Sequence, residues 1–562
     1  MQRPTHFRWT LMLFAIAAAM LAVSLPPSTV RADDDFKSIK KEYEQAKSDG
    51  ARTTMGRLID KMAQTNEKDA AKYLLKELAD DQAAHKRGKA GLPGDVRDKI
   101  VNALSSFTDE DSVGLIGKAA LDLKSDKDPT LALDQFDFFK SLARMNGVAS
   151  ADKTIREALS ETKNPFIKCA ALEAVRQAGA KRFVDDVIAI LGEENEEWVK
   201  KWLIVPINTL ACLEDIVEPE EKEVAIKVVD AVVAFQERTT CADERVRFFG
   251  GKMLRKITGE VADMQSTFYW KWWSAQMKAV GSVDHSNKPE GKRSKTAAVP
   301  PVFDAQPVGK RFVFVIDVSK SMEMPLKITL EEIEKRRKDR DGPVTKGPKK
   351  EEGGDDQDPP DKDADNPLRQ LPWEEISTKI ELAREELSRA IKSFVGDREF
   401  AIVTYSTEVE VITGGWVKAT PDNCAKWSRE VKDLEPVALT NIHGGLMKAL
   451  RISDKGDDAE QPSVDRDCVL TGADSIIFLT DGWASWDDQS QAKTKDKRNG
   501  IDNSVGDGPF IYGEDIWPDI LRQNLFRKVI ISTVGIGMHD KELLKALAGK
   551  TGGTYVDWGF LE

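Results

Sequence analysis

The apolar run Phe312 to Ile316 passes directly into Asp317-Val318-Ser319-Lys320-Ser321-Met322. The run is short and has no polar alternation, the pattern of a strand buried on both faces of a parallel sheet. Two similar runs follow. Ile476 to Thr480 ends at Asp481-Gly482, and Val529 to Val534 closes in Gly535-Ile536-Gly537, followed by a helical pattern over 540–548. Strands buried on both faces need helices on both sides, so the second half is predicted to be an α/β domain, doubly wound on a mainly parallel sheet. Sheets of this kind place ligand sites outside the carboxyl ends of their strands. Asp317, Ser319 and Ser321 fall there, an acidic residue and two hydroxyls at alternate positions that can present oxygens to a hard cation.

Two partners lie further along. Thr440 opens Thr-Asn-Ile-His-Gly-Gly-Leu, a polar loop leading into a helical pattern over 442–452, and Asp481 ends the second buried strand. The order of these elements, with Asp317, Ser319, Ser321, Thr440 and Asp481 at the motif positions, resembles a von Willebrand factor type A domain with a metal-ion-dependent adhesion site. The resemblance covers about residues 311 to 562, less two insertions. It implies direct coordination by Ser319, Ser321 and Thr440, with Asp317 and Asp481 acting mostly through bound water. Oxygen ligands without Cys or His suit Mg²⁺, Mn²⁺ or Ca²⁺ rather than zinc or copper. Neutral hydroxyls leave such an ion electrophilic, so the implied partner is a protein ligand presenting a Glu or Asp carboxylate. One position departs from the family pattern: Lys320 stands where Gly is common. A cation there is expected to weaken metal affinity or favour an acidic ligand, unless the side chain turns to solvent.

The N-terminus reads as a targeting segment. Arg3, His6 and Arg8 precede an apolar stretch from Trp9 to Leu25, and Val30-Arg31-Ala32 has small residues at cleavage spacing. A secretory signal cleaved after Ala32 is expected, placing the protein outside the cell or in the periplasm and envelope. An uncleaved N-terminal membrane anchor is the alternative. The net charge of −12 argues against nucleic acid as a partner. Five cysteines, Cys169, Cys212, Cys241, Cys424 and Cys468, include no C-x-x-C pair. Buried thiols are expected, with Cys424 and Cys468 as a possible disulfide.

Residues 33–280 read as an all-α helical-repeat domain. Apolar residues recur at three and four spacing in 166–175, 183–191 and 198–213. Helix pairs at about 35 to 40 residues resemble HEAT-type repeats stacked as a solenoid. Phe268-Tyr-Trp-Lys-Trp-Trp273 is expected to cap that stack, with Tyr269, Trp272 and Trp273 on one side; a glycan- or peptide-binding surface is the alternative. A polar linker is expected over 281–310. Within the α/β domain, the charged span 323–375 lacks the apolar content for a core and is expected to be solvated chain, and 483–515 reads as a second long polar loop.

Enzymatic motifs are absent. Ala548-Gly-Lys-Thr551 lacks the first glycine of a phosphate loop and precedes a strand rather than a helix. Gly535-Ile-Gly537 lacks a third glycine, and no G-x-S-x-G elbow occurs. His443 reads as a solvent-facing residue at a helix start. The sequence therefore points to an exported, non-enzymatic, divalent-metal-dependent protein-binding, adhesion or scaffolding protein. The alternatives are an accessory subunit of a chelatase-like ATPase complex and a metal-dependent hydrolase using Asp317, Asp481 and His443.

Overall fold

A computed structural model describes residues 36–85, 92–122, 129–193, 196–289, 305, 307–326, 331, 371–394, 396–496 and 503–559. The chain divides into two compact units, one ending at Ile116 and one running from Gly117 to Glu562. The first carries α1 (Phe36–Ser48), α2 (Arg52–Thr65), α3 (Lys68–His85), α4 (Gly94–Leu104) and the start of α5 (Glu110–Ala120). Its core closes on Leu58, Ile59, Met62, Leu74 and Ile100.

The second unit begins with helix pairs: α6 (Ala132–Arg144) and α7 (Ala149–Ser160), α8 (Pro165–Ala178) and α9 (Val184–Gly192), the short α10 (Glu197–Lys200), α11 (Ile204–Ile216) and α12 (Lys222–Thr239), then α13 (Glu244–Thr258) and α14 (Thr267–Val280). Every second helix stacks on its counterpart in the next pair. One row runs α6–α8–α11–α13 and the other α7–α9–α12–α14. This is the packing of a helical-repeat solenoid, in which each pair buries its apolar face only against its neighbours. Helix α14 ends the second row with Tyr269, Trp270 and Trp273 turned inward. Trp270 donates its indole N–H to the Asp263 carbonyl at 2.9 Å, while Trp272, expected on one side with Tyr269 and Trp273, is only half-buried. All five cysteines are buried free thiols, Cys424 and Cys468 included.

The sheet follows, with β1 (Arg311–Asp317), α15 (Lys379–Lys392), β2 (Glu399–Tyr405), β3 (Val409–Val411), β4 (Val417–Lys418), α16 (Pro421–Glu430), α17 (Ile442–Arg451), α18 (Arg466–Thr471), β5 (Ser475–Thr480), β6 (Lys493–Asp496), β7 (Asn503–Gly506), α19 (Gly513–Gln523), β8 (Ile530–Ile536), α20 (Lys541–Thr551) and β9 (Tyr555–Trp558). The strand order is β3-β2-β1-β5-β8-β9, with β4 also pairing β2. The pairs β1–β2, β1–β5, β5–β8 and β8–β9 are parallel. The β1 side chains alternate between two dry faces. Phe312, Phe314 and Ile316 meet Leu382, Leu387 and Ile391 of α15 on one side. Val313 and Val315 meet Ile442, Leu446 and Leu450 of α17 on the other. The absence of polar alternation in the sequence is explained by this double burial.

The ends of the charged 323–375 span are folded. Pro325 bridges Thr378, Leu326 N–H donates to the Ser377 carbonyl at 2.9 Å and Lys379 N–H to that of Met324 at 3.2 Å, and Leu371 is buried in the core. The rest of that span lies outside the described residues apart from Glu331, as do residues 1–35 and most of 281–310. The 483–515 stretch contains the antiparallel pair β6–β7. Its strands are polar apart from Val505, so they carry no apolar signal.

The strands start on the helices. Each helix of the first solenoid row places a buried polar residue at the amino-terminal edge of the sheet: Asp137 on α6, Glu173 on α8, Asn208 on α11 and Arg245 on α13, spaced 36, 35 and 37 residues apart. Asp137 meets Arg522 at 3.2 Å and Glu173 meets Lys528 at 2.6 Å. Asn208 donates to the Phe526 carbonyl at 2.7 Å, and Arg245 lies 2.9 Å from Asp474. Burial raises the Glu173 pKa, but the Arg176 and Lys528 cations outweigh it and hold the carboxyl down at about 2.

Glu173→Gln leaves the Lys528 ammonium buried without a counter-charge and is expected to cost about 3 kcal/mol in urea unfolding at neutral pH. Because the folded pKa of Glu173 lies below its usual value of 4.5, its contribution is complete above that value and is lost as pH falls through about 2. The gap between wild type and variant should therefore narrow from pH 4.5 downward. Replacing residues 327–370 by a short Gly/Ser loop, with the paired stem kept, is expected to change stability by no more than about 1 kcal/mol, because closure entropy varies slowly with loop length; thermal unfolding measures it.

Candidate functional site

Strand β1 ends at Asp317, which is fully buried. Its Oδ1 accepts the Ser319 N–H at 2.8 Å, and its Oδ2 accepts the Thr480 hydroxyl at 2.8 Å. The Tyr405 hydroxyl lies between Asp317 Oδ2, at 3.2 Å, and the Leu479 carbonyl, at 2.9 Å. Burial, and then the neighbouring Asp481 carboxylate, push the Asp317 carboxyl up to about 7.

A single 3₁₀ turn, Lys320–Glu323, carries the chain back over the strand end. It brings Ser319 Oγ and Ser321 Oγ to 3.0 Å, and Ser321 donates to Asp481 Oδ1 at 2.6 Å. The other oxygen of Asp481 lies 3.1 Å from Lys379 Nζ, and both side chains are almost wholly buried. Asp317, Ser319, Ser321 and Asp481 thus form one hydroxyl–carboxylate cluster across the ends of β1 and β5.

Thr440 lies in the loop beside that cluster. Its neighbours Val437 and Ala438 pair with the backbone of Val318 and Lys320, and its carbonyl accepts N–H groups from Ser485 and Trp486. Its hydroxyl makes no hydrogen bond among the described residues. The two glycines after it have separate tasks. Gly444 donates its N–H to the Asn441 cap at 2.8 Å, and a Cβ there would lie 2.6 Å from the Asn441 amide. At Gly445 a Cβ would come within 3.0 Å of the Tyr405 ring, so the glycine lets α17 settle on the sheet.

One open alternative, about Lys320, is decided, and one expectation, about His443, needs correction. Lys320 turns outward to Glu323, at 2.8 Å. The cation at the cluster is instead Lys379, the first residue of α15, held behind the Thr378–Glu381 capping box. An ammonium in the first turn opposes the helix dipole, and the buried Asp481 carboxylate supplies the compensating charge. The sequence signal for Lys379 was the capping pattern Thr-Lys-Ile-Glu. His443 is buried rather than solvent-facing. It stacks on Phe510 with ring centroids 3.9 Å apart, and its Nε2 lies 2.9 Å from Asp519. That pairing turns the ring to a structural partner.

Around the cluster the strand-end loops expose Met324, Val437, Trp483 and Met538. A cavity of about 580 Å³, lined by Trp483, Tyr512, Trp517, Met538 and His539 among others, opens between the loops that follow β5 and β8. Among the described residues no group of three His, Cys, Asp or Glu side chains could hold a metal ion. Any ion here would therefore depend on the hydroxyls together with the two carboxylates. Such an all-oxygen donor set fits a hard cation, with the Lys379 ammonium as an added positive charge.

Sheet order, helices on both faces and the sequence of motif loops make the C-terminal half resemble a von Willebrand factor type A domain. No family model matches the chain. It is similar to the mouse (Mus musculus) inter-alpha-trypsin inhibitor heavy chain H3, at 28% identity over 128 residues, which is 23% of this chain and 13% of that protein. Among solved structures it is similar to a von Willebrand factor type A protein from Catenulispora acidiphila, at 16% identity and TM-score 0.24, covering 45% of this chain and 40% of the other. It is also similar to the PilB minor pilin from Streptococcus sanguinis, at 15% identity and TM-score 0.22, covering 44% and 57%. These structural likenesses are weak, and the fold reading rests on the sheet and its loops.

Asp317→Ala would leave the Thr480 hydroxyl and the Ser319 N–H without their buried acceptor. It is expected to destabilise the protein by about 2 kcal/mol, and Asp317→Asn by less, in denaturant unfolding without added metal.

Proposed function

We propose that this chain is an exported protein-binding module that takes an acidic residue of a protein partner at a divalent cation, Mg²⁺ or else Mn²⁺ or Ca²⁺. Ser319, Ser321 and Thr440 would hold the ion, with Asp317 and Asp481 behind them. The observation that carries the reading is the Ser319–Ser321–Asp481 chain of oxygens at the carboxyl ends of β1 and β5. When bound, the ion would supply an electrophilic centre for a carboxylate. The residues themselves do the rest. Tyr405 and Thr480 fix Asp317, the 3₁₀ turn brings the two serine hydroxyls together, and the Thr440 hydroxyl has no competing partner among the described residues.

The surroundings favour a macromolecular ligand. Met324, Val437, Trp483 and Met538 offer apolar contacts around a polar centre, the anatomy of a protein interface with a charged anchor. Export rests on the N-terminal segment alone. Among the described residues no helix is long and apolar enough to cross a membrane.

Titration calorimetry with Mn²⁺ on the full chain tests the reading. Uptake of one ion is expected, with loss in Ser319→Ala and Ser321→Ala while circular dichroism stays unchanged. Equal binding heats in wild type and both variants would remove these serines from the site.

A further inference from the structure

The loop that carries Thr440 is stapled to the segment that follows Asp481. Thr440 N–H donates to Ser485 Oγ at 3.0 Å, and the Thr440 carbonyl accepts the N–H groups of Ser485 at 2.9 Å and Trp486 at 3.2 Å. The buried Asn441 side chain spans the same seam. Its amide nitrogen donates to Asp488 Oδ1 at 2.6 Å, while its oxygen accepts the Gly444 N–H at the start of α17. The segment has its own anchor in Asp487, which is fully buried. Asp487 Oδ1 accepts the Gln489 N–H and the Ser490 hydroxyl, and Oδ2 accepts the Phe510 N–H at 2.7 Å. A Cβ at Gly508 would collide with that carboxylate, so the chain returns past it through a glycine. Phe510 then stacks on His443 in the first turn of α17, which closes the path back to Asn441.

We infer that Ser485 and Asp488 are positioning residues that set the place of Thr440 relative to Asp481; this rests on the metal reading above. Ser485 lies four residues beyond Asp481, so one short stretch of backbone carries a carboxylate of the cluster and grips the neighbouring loop. On its other side that loop is held by Asn441 N–H to the Ser406 carbonyl at 2.8 Å and by Lys320 N–H to that of Ala438 at 3.3 Å. Ser485 and Asp488 act through Thr440 and Asn441 rather than as ligands. They hold the Thr440 loop in register with the cluster beforehand, so less ordering remains to be done on binding. The linkage is reciprocal. A site that draws on Thr440 and Asp481 together also steadies the seam between them, and the Ser485 and Trp486 amides that donate to Thr440 then open less often.

Mn²⁺ titration of the full chain, paired with hydrogen exchange of the amides over 483–490, tests the inference in wild type, Ser485→Ala, Asp488→Ala and Asp488→Asn. Ser485→Ala and Asp488→Ala should each bind Mn²⁺ about fivefold more weakly, the worth of one intramolecular hydrogen bond, with circular dichroism unchanged. Asp488→Asn loses the charge but keeps an acceptor for the Asn441 amide, and should stay close to wild type. In wild type, Mn²⁺ should slow exchange over 483–490, and Ser485→Ala should lose most of that protection; a merely structural clasp would not respond to the ion. If Ser485→Ala does not fold, Asp488→Ala, on an exposed side chain, gives the same comparison. Equal Mn²⁺ affinities in wild type, Ser485→Ala and Asp488→Ala, or exchange over 483–490 that ignores Mn²⁺, would overturn the positioning role and leave the metal site standing. A loss in Asp488→Asn equal to that in Asp488→Ala would assign the Asp488 effect to charge and overturn its part. Absence of Mn²⁺ binding in every protein would overturn both readings.

Discussion

Asp317 ends β1 and Asp481 directly follows its parallel neighbour β5, so the sheet itself forces two carboxylates into proximity at a dry edge. Like charges in such a place repel, and burial penalises each of them. The surrounding residues offset both costs. A backbone N–H and the Thr480 hydroxyl satisfy Asp317, Tyr405 lies between it and the Leu479 carbonyl, and Ser321 and Lys379 face opposite oxygens of Asp481. The turn after β1, the capping box of α15 and the approach of α17 over Gly445 all follow from keeping this pair enclosed. The site is consequently an extension of the core rather than a decoration on loops.

The same logic operates at the opposite edge. The strands begin where the first row of solenoid helices ends in buried polar residues, and Glu173 and Lys528 exchange charge there with little water to help. Pairs of this kind contribute modestly to net stability but penalise any arrangement that separates them. They fix which helix meets which strand start.

Much of this was legible in the sequence because signal and structure coincide within a few residues. The uninterrupted apolar runs gave the doubly buried strands, and the residue after each run is the one that reaches the site. Helical spacing gave the paired repeats. Other features were hidden for physical reasons. Lys379 is separated from Asp481 by much of the domain, and a lysine in an amphipathic helix reads as solvated. Glu173 and Lys528 look like surface charges until the two elements meet. His443 follows a polar loop, so exposure was the natural reading, yet Phe510 and Asp519 arrive from a distant segment to cover it. The β6–β7 pair carries almost no apolar residues, so its antiparallel register leaves no periodic signal in the sequence.

The two edges of the sheet have a mechanical consequence. The helices hold the beginnings of the central strands, through Glu244 to Gly309 N–H before β1, Arg245 to Asp474 before β5 and Glu173 to Lys528 before β8. The hydroxyl–carboxylate cluster occupies the ends of β1 and β5, roughly 20 Å away at the usual rise per residue. A pull applied at the cluster and resisted by the helices therefore runs along the strands. The covalent backbones of those strands, tied at both ends, carry it, and the hydrogen bonds between them are not peeled open one at a time.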